Sequence, residues 1–158
     1  MAFWTSTSSP LSVLLRPPTY WLNAVGEAKA VPGTSLLTGG GGAGGGGAGQ
    51  DAAVARLNPD GSLDPSFAGD GTFTVDLGGN DIAYDAALLA NGKVVLATTS
   101  YVSGTTEIAL VQVTADGQLD TSFDFDGIKK LHVGSDDVAA AVAVQPDGKV
   151  VLAGSTGT

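Results

Sequence analysis

The chain contains no cysteine. Disulfides, thiolate metal sites and cysteine nucleophiles are therefore excluded, and the redox compartment stays open. It also lacks any run of about 18 apolar residues, so no membrane-spanning helix is expected. Basic residues are scarce, seven against sixteen acidic ones, giving a formal charge of −9 and a pI near 4.1. Such a surface repels a phosphate backbone and carries no basic stripe, which excludes nucleic acid as a partner while permitting a hard cation such as calcium. Aromatic residues make up only 6% of the chain, and its two tryptophans, Trp4 and Trp21, lie close to the start with nothing converging on them. What is abundant is glycine, 24 residues, within a composition 43% apolar. That is enough for a core, and it suits tight turns and close backbone packing better than a bulky helical interior.

The organising feature is an internal repeat, which has to be found before any site is proposed. Leu63-Asp64-Pro65-Ser66-Phe67-Ala68-Gly69-Asp70-Gly71 returns 56 residues later as Leu119-Asp120-Thr121-Ser122-Phe123-Asp124-Phe125-Asp126-Gly127. Around it the correspondence is gapless. Residues 53–58 and 109–114 read as strands, each closed by Asp60-Gly61 or Asp116-Gly117, where glycine supplies a turn's positive φ. The repeated element follows, then strands over residues 72–77 and 128–133, a polar link, and strands over 82–89 and 138–144. Asn91-Gly92 and Asp147-Gly148, each between apolar runs, predict hairpins leading into residues 94–99 and 150–153.

The four segments are residues 1–27, an unassigned leader; 28–50, a degenerate partial repeat; 51–106, a full unit; and 107–158, a unit truncated at its end. The leader's apolar run is broken by Arg16-Pro17-Pro18 and has no basic residue before it, a poor match to a signal peptide. Residues 32–39 overlay 91–98 with three extra positions, which the glycine tract from Gly39 to Gly49 accounts for. A phosphate-binding loop would end in Gly-Lys-Ser/Thr and enter a helix; Gln50-Asp51 and a strand follow instead, so the tract reads as an inter-strand loop.

The expected fold is all-β: repeated four-stranded antiparallel blades of a β-propeller type, incomplete at about two and a half units. Residues 138–144 are small and apolar on both alternating faces, as a strand wedged between neighbouring blades would be, whereas Arg56, Lys129, Lys130 and His132 mark outer, exposed strands. One whole blade is expected over residues 82–133. A propeller of four to eight blades needs at least about 220 residues at this period, so either further repeats or self-association is expected to complete the sheet array.

Asp-Gly-x-Leu-Asp-x-Ser-Phe-x-x-Asp-Gly, at residues 60–71 and 116–127, together with Ala-Val-Ala-Val-Gln-Pro-Asp-Gly-Lys-Val-Val-Leu-Ala-Gly at 141–154, resembles the delta-60 repeat of large bacterial surface-associated or secreted proteins. The resemblance covers about residue 51 to the end, with a fainter partial unit from about 28. Ala90-Asn91-Gly92 departs from that family's Pro-Asp-Gly, and the leader matches nothing in it. The resemblance implies a propeller and an extracellular or cell-envelope location; it implies no reaction.

Leu63, Asp64, Ser66, Phe67, Asp70 and Gly71, with Leu119, Asp120, Ser122, Phe123, Asp126 and Gly127, are expected to form structural corners, their carboxylates accepting backbone N–H bonds as Asx and capping residues do. Asn91, Gly92, Asp147 and Gly148 are the hairpin turns. Asp120, Asp124 and Asp126 are the weak candidates for metal: Asp-x-Asp-Gly resembles an oxygen-rich calcium loop, but the later ligands are missing and Ala68 stands where Asp124 does. No catalytic or cofactor-binding residue is expected. His132, the only histidine, has no recurring nucleophile near it in sequence, and Glu27 and Glu107 lack a paired carboxylate. The function expected is a non-enzymatic scaffold binding a protein or carbohydrate through blade faces and loops. A calcium-stabilised adhesin-like module and a fragment of a propeller-fold enzyme are the alternatives.

Overall fold

The computed structural model describes residues 29–31, 34–42 and 49–157; the leader over residues 1–27 lies outside them. Ten strands and, among the described residues, no helix make up three antiparallel sheets. β1 (Lys29–Val31), β2 (Thr34–Gly42), β3 (Gln50–Leu57) and β4 (Thr72–Val75) form the first sheet in chain order. β5 (Asn80–Leu88), β6 (Val94–Val102), β7 (Thr105–Val113) and β8 (Ile128–Leu131) form the second, again in chain order. β9 (Asp137–Val144) and β10 (Val150–Thr156) pair as the third. Every sheet is a plain meander, and none closes on itself among the described residues.

The middle sheet is buried on both faces, and the alternation of its side chains shows why. In β6, Val94 and Leu96 point into one core and Val95 and Ala97 into another. β7 divides likewise, with Ala109, Val111 and Val113 on one side and Ile108 and Leu110 on the other. The first core is shared with Ala52, Val54, Phe67, Val75 and Leu77 of the preceding sheet, the second with Ala139 and Val142 of the following one. A period of two with apolar residues at both phases is what a strand sandwiched between two sheets requires. Small residues at the contacts, Ala52, Ala83, Ala86 and Ala139, let the sheets approach closely.

A β-bulge recurs with the repeat. The β5–β6 register shifts between Ala83 and Asp85, and the β9–β10 register shifts opposite Ala139 and Ala141, 56 residues on. Next to the second bulge, the Val142 N–H donates to Asp85 Oδ2 at 2.8 Å, and the Ala139 N–H donates to Thr99 Oγ1 at 2.9 Å. Polar side chains of the middle sheet thus satisfy backbone donors of its neighbour, as buried donors demand.

Three features differ from the sequence reading. Gly39–Gly42 continue β2 and pair with Gln50–Ala53 of β3, so the start of the glycine tract is strand; residues 43–48 lie outside the described residues. Backbone pairing needs no side chain, and the meander supplies the partner. The first sheet accordingly has four strands, although β1 is only three residues long. Arg56 is not an exposed outer-strand residue: its side chain is 12% exposed, drawn inward by three acceptors and an aromatic ring.

The meander sorts the connections onto two ends. Asn80, Tyr101 and Thr106 are neighbours at one end of the middle sheet, with the β4–β5 link and the β6–β7 hairpin. Leu88, Val94 and Val113 lie at the other, with the β5–β6 hairpin and the repeated corner.

Candidate functional site

The corner is built twice by the same backbone bonds. The N–H groups of Asp64, Phe67, Gly71 and Arg56 donate to the carbonyls of Arg56, Asp64, Phe67 and Gly71; those of Asp120, Phe123, Gly127 and Gln112 donate to Gln112, Asp120, Phe123 and Gly127. Leu63 and Leu119 bridge back to Leu57 and Val113. Phe67 is wholly buried in the first core, and Phe123 packs against the second. Gly71 has φ +89°, and a Cβ there would stand 2.8 Å from that of Leu63, so no other residue fits without a shift.

The corner carboxylates are occupied. Asp64 Oδ1 accepts the N–H and hydroxyl of Ser66, and its Oδ2 accepts Arg56 Nε at 2.9 Å. The two bonds from Ser66, then Arg56, hold the Asp64 carboxyl below its ordinary value. Arg56 also donates to Ser66 Oγ and to the Ala115 carbonyl of the middle sheet, and its guanidinium lies 4.8 Å from the centre of the Phe67 ring. In the second corner Gln112 replaces Arg56, and the cation comes from the hairpin instead. Lys93 Nζ lies 2.5 Å from Asp120 Oδ2, which Gln112 Nε2 also bonds at 2.6 Å, while Ser122 serves Oδ1. Lys93 first, then Ser122 and Gln112, press the Asp120 carboxyl far below the usual carboxylate range.

Asp70 and Asp126 each accept the N–H two residues on, from Thr72 and Ile128. Asp124 pairs with Lys129 at 3.2 Å. Of the three residues weighed for calcium, Asp120 therefore has both oxygens engaged by protein donors, and the structure does not bring the three together as a ligand set. The hairpins at Asn91-Gly92 and Asp147-Gly148 are not two-residue turns. Gly92 N–H donates to the Leu89 carbonyl and Leu89 N–H to that of Lys93, with the same pattern at Gln145, Gly148 and Lys149. This is a three-residue loop, a type I turn ending in a left-handed glycine, with Asn91 and Asp147 capping the next N–H.

The corner also joins sheets. Ala68 N–H donates to the Asp116 carbonyl of the middle sheet at 2.8 Å. The approach is close: a Cβ on Gly117 would stand 2.2 Å from the Ala68 nitrogen.

At the opposite end lies a group that the sequence reading missed. Asp51 at the start of β3, Asp76 after β4 and Asp81 in β5 bring one carboxylate oxygen each to within 4.8 Å of one another. Asp81 is fully buried; its Oδ2 accepts the Leu77 N–H at 2.6 Å, and its Oδ1 is buried without a hydrogen-bond partner. Asp76 Oδ1 accepts the Gly78 N–H at 2.7 Å. Burial, then the charges of Asp76 and Asp81, raise the Asp51 carboxyl above its ordinary value. A cleft of about 320 Å³ opens beside them, edged by Asp51, Asp76, Asn80 and Tyr101. The three residues are scattered over 31 positions of sequence and share no local motif. The signal available was the repeat itself: 56 residues on stand Glu107, His132 and Asp137.

Stacked four-stranded antiparallel meanders, joined by one recurring corner, define a β-propeller-type repeat protein. A family model described as a β-propeller domain of unknown function, DUF5122, matches residues 37–67 and 89–123. Both matched segments end on the corner phenylalanine, Phe67 and Phe123, and so contain the hairpin strands and the turn into the core. No curated protein matches the chain. Among the described residues no helix is long and apolar enough to cross a membrane.

Proposed function

We propose that this chain is a non-enzymatic repeat module, a scaffold of a bacterial surface or secreted protein that binds a protein or carbohydrate through its blade faces and loops. The observation that carries the reading is the fate of the recurring polar groups. Asp64 and Asp120, with Ser66 and Ser122, spend their hydrogen bonds on their own turns and on Arg56, Lys93 and Gln112. What the repeated corner preserves is therefore a joint, its carboxylates and hydroxyls engaged in holding the turn. His132 lies 3.1 Å from Glu107 as a surface ion pair when protonated, 68% exposed. Tyr101, which does not recur in the repeat, is half-exposed beside the cleft at the end carrying the links and the β6–β7 hairpin, where a partner could be told apart. The location rests on the resemblance to the delta-60 repeat.

The catalytic half of the reading is tested with purified chain and panels of ester, phosphoester, glycoside and peptide substrates. No turnover above buffer is expected; turnover that one point substitution abolishes in a folded protein would overturn it. The location is tested by protease shaving of intact cells, which should release the chain, whereas recovery solely from the cytosol would contradict it.

A further inference from the structure

The junction between the first two sheets and the junction between the second and third are built from equivalent positions, yet their charges differ. At the second junction Glu107, His132 and Asp137 stand together. His132 Nε2 lies 3.1 Å from Glu107, and Lys130 Nζ lies 3.5 Å from it. Asp137 is fully buried and satisfied: Val133 N–H and Gly134 N–H donate to its oxygens at 2.7 and 3.0 Å. The Thr156 hydroxyl, then the Val133 amide, and at longer range His132, hold its carboxyl low. That junction carries basic side chains, Lys130 and His132, beside its carboxylates.

The first junction has the same frame with a single basic group at its edge: Lys130 Nζ, which also faces Glu107, lies 3.4 Å from the carbonyl of Leu77, next to Asp76. Asp51 stands where Glu107 does, Asp81 where Asp137 does, and Asp76 where the imidazole of His132 does. Three carboxylates face one another within 4.8 Å, and no Lys, Arg or His forms an ion pair with any of them among the described residues. Asp81 keeps one oxygen buried and unpartnered. Ser100, its cross-strand neighbour, leaves its own hydroxyl unpartnered too, although Thr156 at the equivalent place serves Asp137. A buried carboxylate oxygen with no donor is costly, and two more carboxylates beside it add repulsion.

We infer that Asp51, Asp76 and Asp81 form a calcium site that ties β3 and β4 of the first sheet to β5 of the second. The chemistry is that of a hard cation: all three ligands are carboxylate oxygens, and the adjoining cleft admits the waters that would complete a coordination number of six to eight. Bond lengths of about 2.3–2.6 Å let calcium bridge oxygens up to about 5 Å apart, which accommodates the observed spacing. Magnesium, at about 2.0–2.1 Å, spans only about 4.2 Å and is reluctant to shed water. The ion offsets at this junction the carboxylates that no basic side chain pairs with, as Lys130 pairs with Glu107 at the next. The inference does not depend on the scaffold reading, since an enzyme could carry the same clamp.

The test is thermal melting of the full chain with calcium chloride, ionic strength held constant with sodium chloride. Calcium at about 10 mM is expected to raise the melting temperature by about 4–7 °C, as for a sub-millimolar extracellular-type site. Equimolar magnesium should do much less. Asp76→Asn and Asp51→Asn should abolish the calcium shift. Asp76→His, which copies the second junction, should melt above the parent in chelator and ignore calcium. No calcium shift in the folded parent, an equal shift with magnesium, or an undiminished shift in Asp76→Asn and Asp51→Asn would each overturn the inference.

Discussion

Lys93 Nζ lies 2.5 Å from Asp120 Oδ2, joining the β5–β6 hairpin to the corner that follows β7. It supplies to the second corner the charge that Arg56 supplies to the first from within its own strand. One function in the repeat is thus filled by two residues at different positions, with Gln112 standing where Arg56 would be expected. Lys93→Met should lower the melting temperature by a few degrees, and Gln112→Arg should restore most of that loss by rebuilding the first corner's arrangement. Melting curves of the single and double variants check this; additive losses in the double variant would show that the two cations are not interchangeable.

The same carboxylates set the acid limb of stability. Asp64, Asp120 and Asp137 all titrate below their ordinary 3.8 in the folded chain. A depressed folded value means that their stabilisation is complete above the unfolded value and is lost as pH falls through the folded one. Asp51, raised, acts in the opposite sense just above 3.8, where its protonation favours the fold. Asp60 and Asp147 are depressed as well, so five outweigh one, and stability should change little from pH 7 to about 5 and fall steeply below about 4. Melting temperatures across that range check it, and Asp120→Asn should show the shallower acid slope.

Phe125 carries φ +70° and is 95% exposed, at the position where the first corner has Gly69 with φ +87°. A bulky residue in the left-handed region is strained, and this one gains no burial in return. Phe125→Gly should therefore stabilise the chain by roughly 0.5–1 kcal/mol, after the greater unfolded-state freedom of glycine is allowed for. Urea denaturation measures it.

Gly61 and Gly117 hold the same turn position and the same φ, +86°. Nothing stands within 4 Å of a Cβ added at Gly61, whereas one at Gly117 meets the Ala68 backbone. Gly61→Ala should cost about 1 kcal/mol from conformation alone, and Gly117→Ala at least about 1–3 kcal/mol more, because the sheets must move apart. Equal losses would mean that the close approach carries no weight.

Much of this architecture is legible in the chain because its signals are local. Asp-Gly and Asn-Gly mark the turns, β-branched runs mark the strands, and the 56-residue spacing shows which turn answers to which. Asn91-Gly92 marked the place of its hairpin but not its kind, since the same dipeptide fits a two-residue turn and the longer loop found here. The glycine tract misled because Gly39–Gly42 have no side chain to advertise a strand that backbone pairing alone maintains. The roles of Arg56 and Lys93 were hidden for another reason: a salt bridge between 93 and 120 follows from how a hairpin and a corner meet at one end of a sheet. Asp51 in β3, Asp76 in the link after β4 and Asp81 in β5 are set by two different sheets, and only the packing of those sheets brings them together.

The central claim is that the recurring corner is a joint between sheets. Its most direct measure is native-state hydrogen exchange at the Ala68 amide, a corner N–H whose acceptor is the Asp116 carbonyl of the next sheet. The account predicts protection comparable to that of core amides in β6 such as Leu96, and its loss in Gly117→Ala. Exchange at Ala68 as fast as at the exposed Gly61 turn would contradict it.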